Sequence, residues 1–205
     1  MNRIRMLEGN RVNLRIMEKE DIALLAEWYN SIEFQGEYFT NPQRSRTEWQ
    51  KDFENPSPVK VAMDEHEFII EKKDGTKIGH IGYGTCPLHG WMEIGYAIIP
   101  NERGKGYGTE AVQLIVDYLF LLKDIPRIMI NTDARNTASI KAAEKAGFEK
   151  EGIIRKGGFA WGKHADCCIL GILREEWKEP KILRKANSKR ARAGREVDEN
   201  AKRAS

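Results

Sequence analysis

The sequence predicts a mixed α/β domain with one compact core. Two observations carry this. Segments with apolar residues at every second position alternate with segments carrying apolar stripes at helical spacing, in the order β-α-α-β-β-β-α-β-α-β-β. Three strands also follow one another before residue 100, so the regular βαβαβ rhythm of a doubly wound sheet is missing.

"RVNLRIM" (11–17) alternates Val12, Leu14 and Ile16 with polar residues, as a half-buried strand does. "EKEDIALLAEWYN" follows with Ile22, Leu25, Ala26 and Tyr29 on one helical face and acidic residues in its first turn. A polar, aromatic connection covers 31–44. Ser45 and Glu48 form a capping-box pattern, so the second helix starts at 45 or 46, and "NPSP" (55–58) stops it. "EFIIEKK" (67–73) and "KIGHIGYGTC" (77–86) flank Asp74-Gly75 and read as a hairpin. A turn at 87–90 leads to "WMEIGYAIIP" (91–100). Ala111, Leu114, Ile115, Tyr118, Leu119 and Leu122 then share a helical stripe. "RIMINTD" (127–133) is a strand, and 136–148 is a helix that Gly147 stops. Strands near 149–158 and 165–173 close the domain, and "REEWK" adds a last turn.

At 205 residues this is one domain with an appendage. Residues 181–205 hold nine Lys/Arg against three Asp/Glu, so this segment carries +6 while the chain as a whole carries +3 and residues 1–180 carry −3. We therefore expect an N-terminal domain over 1–180 and a basic, disordered tail over 181–205. The body gives no reason to expect a nucleic-acid-binding face. The tail could meet an acidic surface such as RNA, but a solvated tail is the simpler expectation. No apolar run approaches a membrane span, and "MNRIRMLEGN" has no secretory core. Cys86, Cys167 and Cys168 are odd in number and lack C-x-x-C spacing. We expect no disulfide framework, no metal site and a cytoplasmic setting. The sequence leaves oligomeric state open, a homodimer included.

The informative stretch is "IGYAIIPNERGKGYGTEA". Glycines 104, 106 and 108 sit between a strand and a helix, with Arg103 and Lys105 among them. Free N–H groups at a helix start, the helix dipole and bare backbone together make an anion cradle. A P-loop needs Ser or Thr after Gly-Lys, and here Gly106 follows Lys105. A dinucleotide site needs G-x-G-x-x-G, and Thr109 stands where its third glycine belongs.

Read from Arg103, R-G-K-G-Y-G resembles [RQ]-x-x-G-x-[GA], the acetyl-CoA pyrophosphate loop of the GCN5-related N-acetyltransferases (GNAT). "EIGYAIIP" before it, "RNTASIKAAEKAGFEKEG" (135–152) after it and "GILREEW" (171–177) look like the branch that includes ribosomal-protein N-terminal acetyltransferases. The resemblance implies the acyl-CoA N-acyltransferase fold: a single mixed, mostly antiparallel central sheet flanked by helices. It implies acetyl-CoA as co-substrate, no metal, and direct acetyl transfer to a primary amine, either a protein N-terminus or a small molecule. An acyl-CoA-binding module with little catalytic activity stays open beside it.

Carried over residue by residue, the resemblance gives the main chain of Ala97, Ile98 and Ile99 to the donor's pantetheine arm. It gives Arg103, Gly104, Lys105, Gly106, Tyr107, Gly108 and Thr109 to the pyrophosphate, and Asn136 and Ser139 to the cofactor as well. An amine must lose a proton before it attacks, since a free amine has a pKa near ~10. Glu93, which shares a strand face with Gly95 and Ala97, is the candidate base, with ordered water as the alternative. Some relatives use a tyrosine acid seven residues after the asparagine, but Ala143 stands there; Ser139, three residues after Asn136, matches the serine of the ribosomal-protein branch, and the resemblance makes it the candidate acid. Asn136 could equally be a helix cap. Glu33, Phe34, Tyr38, Trp91 and Trp161 are candidates for holding a cationic acceptor. His80, His89 and His164 show no metal spacing.

Overall fold

A computed structural model describes residues 7–39, 41–86 and 90–180. The tail expected at 181–205, His89 and most of the turn at 87–90 lie outside the described residues. Eight strands form one sheet: β1 (Leu7–Glu8), β2 (Val12–Ile16), β3 (His66–Lys72), β4 (Lys77–Thr85), β5 (Met92–Ile98), β6 (Arg127–Asp133), β7 (Glu149–Ala160) and β8 (Lys163–Leu173). Their spatial order is β1-β2-β3-β4-β5-β6-β8-β7. Every neighbouring pair is antiparallel except β5 with β6. The sheet is therefore mixed and mostly antiparallel, as the resemblance implied.

Among the described residues six α-helices flank it: α1 (Ile22–Asn30), α2 (Ile32–Gln35), α3 (Arg46–Glu54), α4 (Pro58–Ala62), α5 (Tyr107–Leu122) and α6 (Thr137–Ala146). The larger core joins Phe68, Ile81, Ile94 and Ile128 to Leu114, Ile115 and Leu119 of α5 and to Ala143 of α6. A smaller core, on the α1–α2 side, joins Leu25, Trp28, Phe34 and Ile69. Strand alternation explains the division: Ile94 and Ile98 face α5, while Ala97 packs with the smaller cluster.

Three elements escaped sequence reading. β1 is two residues long, too short for any period. α2 is a single turn inside the expected connection, started by Ser31, whose Oγ accepts from the Phe34 N–H at 3.3 Å. "NPSP" does stop α3, which ends at Glu54 with Asn55 as its C-cap, but the same segment also starts α4, which the sequence reading did not anticipate. Pro58 occupies the first helical turn, where no N–H is needed, and Ser57 caps it. The Ser45–Glu48 capping box is present as expected, with the Glu48 N–H donating to Ser45 Oγ at 3.2 Å. The β7–β8 hairpin is longer than expected and closes on Trp161-Gly162.

"GILREEW" has a structural task. The last turn of α5 carries no basic residue of its own. Arg174 supplies one: it donates to the Phe120 carbonyl at 3.0 Å, to Ile125 at 2.8 Å and to Lys123. The Phe120 and Lys123 carbonyls lie at the C-terminus of α5, and Ile125 lies in the segment that follows it. Trp177 Nε1 donates to Asp117 at 2.8 Å on the same helix.

Candidate active site

The one parallel pair opens the sheet. β5 and β6 share only the registers Met92↔Ile128 and Glu93↔Met129, after which β6 leaves β5. β4 stays paired with β5 to Ile98. Past Glu93, β5 thus has a free edge toward β6.

The main-chain groups along that edge follow from the ladder. The Ile99 N–H donates to the Ile78 carbonyl at 2.9 Å, and Ala97 opposes His80 in the same register. Ala97 and Ile99 therefore turn their N–H groups toward β4, and the alternate residues Tyr96 and Ile98 face the opening. Of the three residues proposed for the donor arm, Ile98 alone offers the free edge. Tyr96, which the sequence reading did not single out, lies beside it on that edge. The alternation in "EIGYAIIP" is compatible with either phase, and only the β4 register decides between them.

The three glycines answer different needs. Gly104 and Gly106 have φ of 73° and 82°, in the left-handed region. Gly106 is the N-cap of α5. Gly108 lies within the helix, where an added Cβ would stand 3.0 Å from the Tyr96 ring. The first-turn N–H groups of α5 thus begin at a left-handed glycine, with the helix dipole behind them. This cradle suits a pyrophosphate.

The basic side chains of the loop are arranged otherwise than expected. The Arg103 guanidinium turns back into the fold, where Nε donates to Ile98 O at 2.9 Å and Nη2 to Phe34 O at 2.6 Å. It ties β5 to α2 instead of reaching outward from the loop, while its backbone still begins the cradle. Lys105 Nζ pairs with Glu102 at 2.9 Å on the surface. Arg11 was missed: its Nη1 donates to the Lys105 carbonyl at 2.6 Å, and its guanidinium stacks on Tyr107 at 4.6 Å.

Across the opening, Asn136 caps α6, its Oδ1 accepting from the Ser139 N–H at 3.1 Å. The Ser139 hydroxyl lies 3.4 Å from the Tyr96 phenol. Burial pushes the Tyr96 pKa up, with Ser139 pulling the other way, so the phenol stays protonated. Ala143 is fully buried in the core.

A cavity of about 1340 Å³ runs through the opening, from Gly104 and Thr109 past Tyr96, Ser139 and Glu93 to Phe34 and Tyr38. Ordinary small-ligand pockets span roughly 300–1,000 Å³, so there is room for two substrates. Glu93 is open to the cavity, yet the protein around it pushes its carboxyl pKa above the ordinary value by desolvation. Phe34 is buried and stacks on Trp28 at 5.5 Å, and Arg135 covers the ring of Tyr38 at 5.7 Å. Glu33 and Trp91 do not line the cavity. The Glu33 carboxylate accepts from Ser31 Oγ, and Arg127 stacks on Trp91 at 5.5 Å, outside it. Trp161 stands at the hairpin tip, where its Nε1 donates to Gly36 O at 2.7 Å and clasps the end of α2.

Among the described residues, no cluster of three His, Cys, Asp or Glu is arranged to hold a metal ion. No helix among them is long and apolar enough to cross a membrane.

The family model of the acetyltransferase (GNAT) domain matches residues 11–149. The chain belongs to the GNAT family and is an acetyltransferase. It is 30% identical over 173 residues to the uncharacterized N-acetyltransferase p20 of Bacillus licheniformis, covering 83% of this chain and 97% of that one. The spermidine N-acetyltransferase of Vibrio cholerae, solved with CoA and spermine, has a TM-score of 0.72 at 21% identity, covering 82% and 98%. RimL, a ribosomal L7/L12 alpha-N-protein acetyltransferase solved with coenzyme A, has a TM-score of 0.71 at 17% identity, covering 80% and 95%.

Proposed function

We propose that this chain is an acetyl-CoA-dependent N-acetyltransferase acting on a primary amine, with residues 1–180 as its catalytic unit. The observation that carries this reading is the opening of β5 from β6 beside a glycine-built helix start, with the desolvated Glu93 at the apex. In this reading the N–H groups of 103–109 hold the pyrophosphate, and the Tyr96 and Ile98 main chain faces the pantetheine arm. The Asn136 amide nitrogen, left over after capping, can donate to the same arm. Acetyl-CoA supplies a thioester whose acetyl group an amine can accept.

Glu93 takes the proton from the acceptor ammonium. Desolvation makes it a stronger base than an exposed glutamate, which suits the task. Ser139, oriented by Asn136 and Tyr96, holds a hydroxyl proton for the leaving sulfur. Phe34 and Tyr38 form acceptor walls, and Trp161 acts through α2. The two named neighbours acetylate a polyamine and a protein N-terminus, which supports an amine without choosing between those classes. We keep the cytoplasm as its setting, on the three free thiols of Cys86, Cys167 and Cys168.

The test is release of CoA thiol from acetyl-CoA across a panel of amines and peptide N-termini. Release should require an acceptor and should drop in Glu93→Gln, by roughly 10²–10⁴ for a lost general base. Ser139→Ala should also slow it. Tight CoA binding without acceptor-dependent release would instead favour a binding module.

A further inference from the structure

The acceptor half of the cavity has an unusual floor. On the sheet face beneath α1 and α2, three cross-strand rows can be read from the registers. Ile69, His80 and Ala97 form one row, and Glu67, Gly82 and Gly95 the next. Glu65 stands one residue before β3, opposite Gly84, which pairs with Glu93. Glycines 82, 84 and 95 therefore leave a trough without side chains. Carboxylates lean into it. The Glu67 carboxylate covers Gly82, where an added Cβ would meet Oε1 at 2.4 Å, and Glu65 Cγ would stand 3.1 Å from a Cβ on Gly84. Glu65 and Glu93 flank Gly84 on strands two apart, so their Cα atoms are about 10 Å from one another.

Among the described residues, no lysine or arginine is ion-paired with Glu65, Glu67 or Glu93. An independent sign comes from His80, which lines the same cavity and is 5% exposed. Its Nδ1 lies 3.2 Å from Glu67 Oε2, and its Nε2 is buried without a partner. The Nδ1 contact fixes where the Glu67 carboxylate sits, and the buried Nε2 brings no cation to the trough. The Tyr29 ring lies 5.1 Å from His80, and burial, with the Glu67 charge second, holds its phenol protonated. The trough thus collects acceptors and negative charge, with aromatic walls at Tyr29 and Phe34. Its floor belongs to the β3–β4–β5 ladders, and their one free edge, along β5 past Glu93, is the edge that faces the donor arm in this reading, so a peptide main chain finds no separate strand edge in the trough. Methylene chains can pack there, and cationic nitrogens can satisfy the carboxylates.

We propose that Glu65 and Glu67, with His80 holding Glu67 in place, form a subsite for a second cationic nitrogen of the acceptor, which makes the acceptor a straight-chain aliphatic di- or polyamine. This rests on the acetyltransferase reading above, in which Glu93 serves the nitrogen that is acetylated. Glu65 and Glu67 serve the other one and are specificity residues.

The full chain is assayed with saturating acetyl-CoA. Straight-chain diamines are compared with monoamines of equal length and with dipeptides whose second residue is lysine. Diamines should be favoured over monoamines by roughly 10- to 100-fold in kcat/KM, the worth of one charge-assisted contact. Glu67→Gln should raise KM for diamines, leave kcat near its starting value and leave monoamines untouched. Gly82→Ala, which displaces the Glu67 carboxylate, should do the same. Glu93→Gln should lower kcat for both classes.

Equal efficiency for diamines and monoamines would overturn the proposal. So would an equal loss for both in Glu67→Gln, or a preference for the lysine dipeptide. Calorimetric binding of a diamine to wild type and Glu67→Gln separates the two levels. Diamine binding lost in Glu67→Gln, together with no acetylation of any amine, would sustain the subsite and sink the acetyltransferase reading. Unchanged diamine binding in that variant would overturn the subsite.

Discussion

Glu93 shows how one residue's environment sets both its chemistry and its cost. Desolvation raises its pKa. A carboxyl raised in the folded state favours folding below its unfolded value and loses that contribution as the pH climbs through the folded value. We expect the acid limb of kcat/KM to lie above the titration range of an ordinary glutamate and to vanish in Glu93→Gln. The same variant should melt at or above the wild-type temperature at pH 8, read by calorimetry. Gly106 is the opposite kind of residue, where backbone and not side chain matters. At φ of 82° a valine costs roughly 1–3 kcal/mol of strain, and its Cβ would lie 3.3 Å from Arg11 Nη1. Gly106→Val should weaken CoA binding by at least ~10-fold in equilibrium titration, with the far-ultraviolet dichroism unchanged.

At the level of elements, the β5–β6 divergence and the β7–β8 hairpin build the two halves of the cavity. The hairpin closes on Trp161 and Gly162, both with positive φ, at 51° and 76°. Such a turn prefers Asn-Gly. A tryptophan there is unfavourable locally, and its Nε1 bond to Gly36 shows what is gained. Trp161→Asn should ease the turn while releasing α2. We expect the acceptor KM to rise and the CoA affinity to hold, measured by steady-state kinetics and titration. Arg103 makes the matching tie from the other side, joining Ile98 to Phe34. Its side-chain task was invisible in "RGKGYG", because the motif spacing fixes the backbone path and says nothing about where a long side chain finds acceptors.

Across the whole molecule, one buried ion network joins elements far apart in sequence. Arg15 on β2 donates to Asp21 at 2.8 and 2.9 Å and to Glu71 on β3 at 2.8 Å, and Lys77 on β4 also reaches Asp21. Arg15, Asp21 and Glu71 are almost wholly buried. Burial alone would raise the Asp21 pKa, but the bonds from Arg15, Lys77 and the Glu18 N–H outweigh it and hold the carboxyl at about 2. A carboxyl held low contributes stability above its unfolded value and loses it as the pH falls through the folded one. Asp21→Asn should therefore cost roughly 3–5 kcal/mol at pH 7, because it leaves the buried Arg15 and the neighbouring Lys77 with only Glu71 to balance two positive charges. The difference should shrink as the pH drops from 4 toward 2, as followed by urea titration.

The sequence by itself determined the order of the main elements, the glycine cradle before α5 and the family. These are local properties: a period, a turn residue, a capping pair, a motif of fixed spacing. It also brought Glu93, Ser139, Asn136, Phe34 and Tyr38 forward, and the fold gathers them around one cavity. Only the tertiary structure decided which phase of β5 faces the opening, since a period of two is symmetric until a neighbour's register breaks it. Only the tertiary structure turned Arg103 inward, left Glu33 and Trp91 outside, and set Glu65, Glu67 and His80 around three bare glycines. Those placements depend on contacts between residues distant in the chain, and the trough exists only where three strands lie side by side.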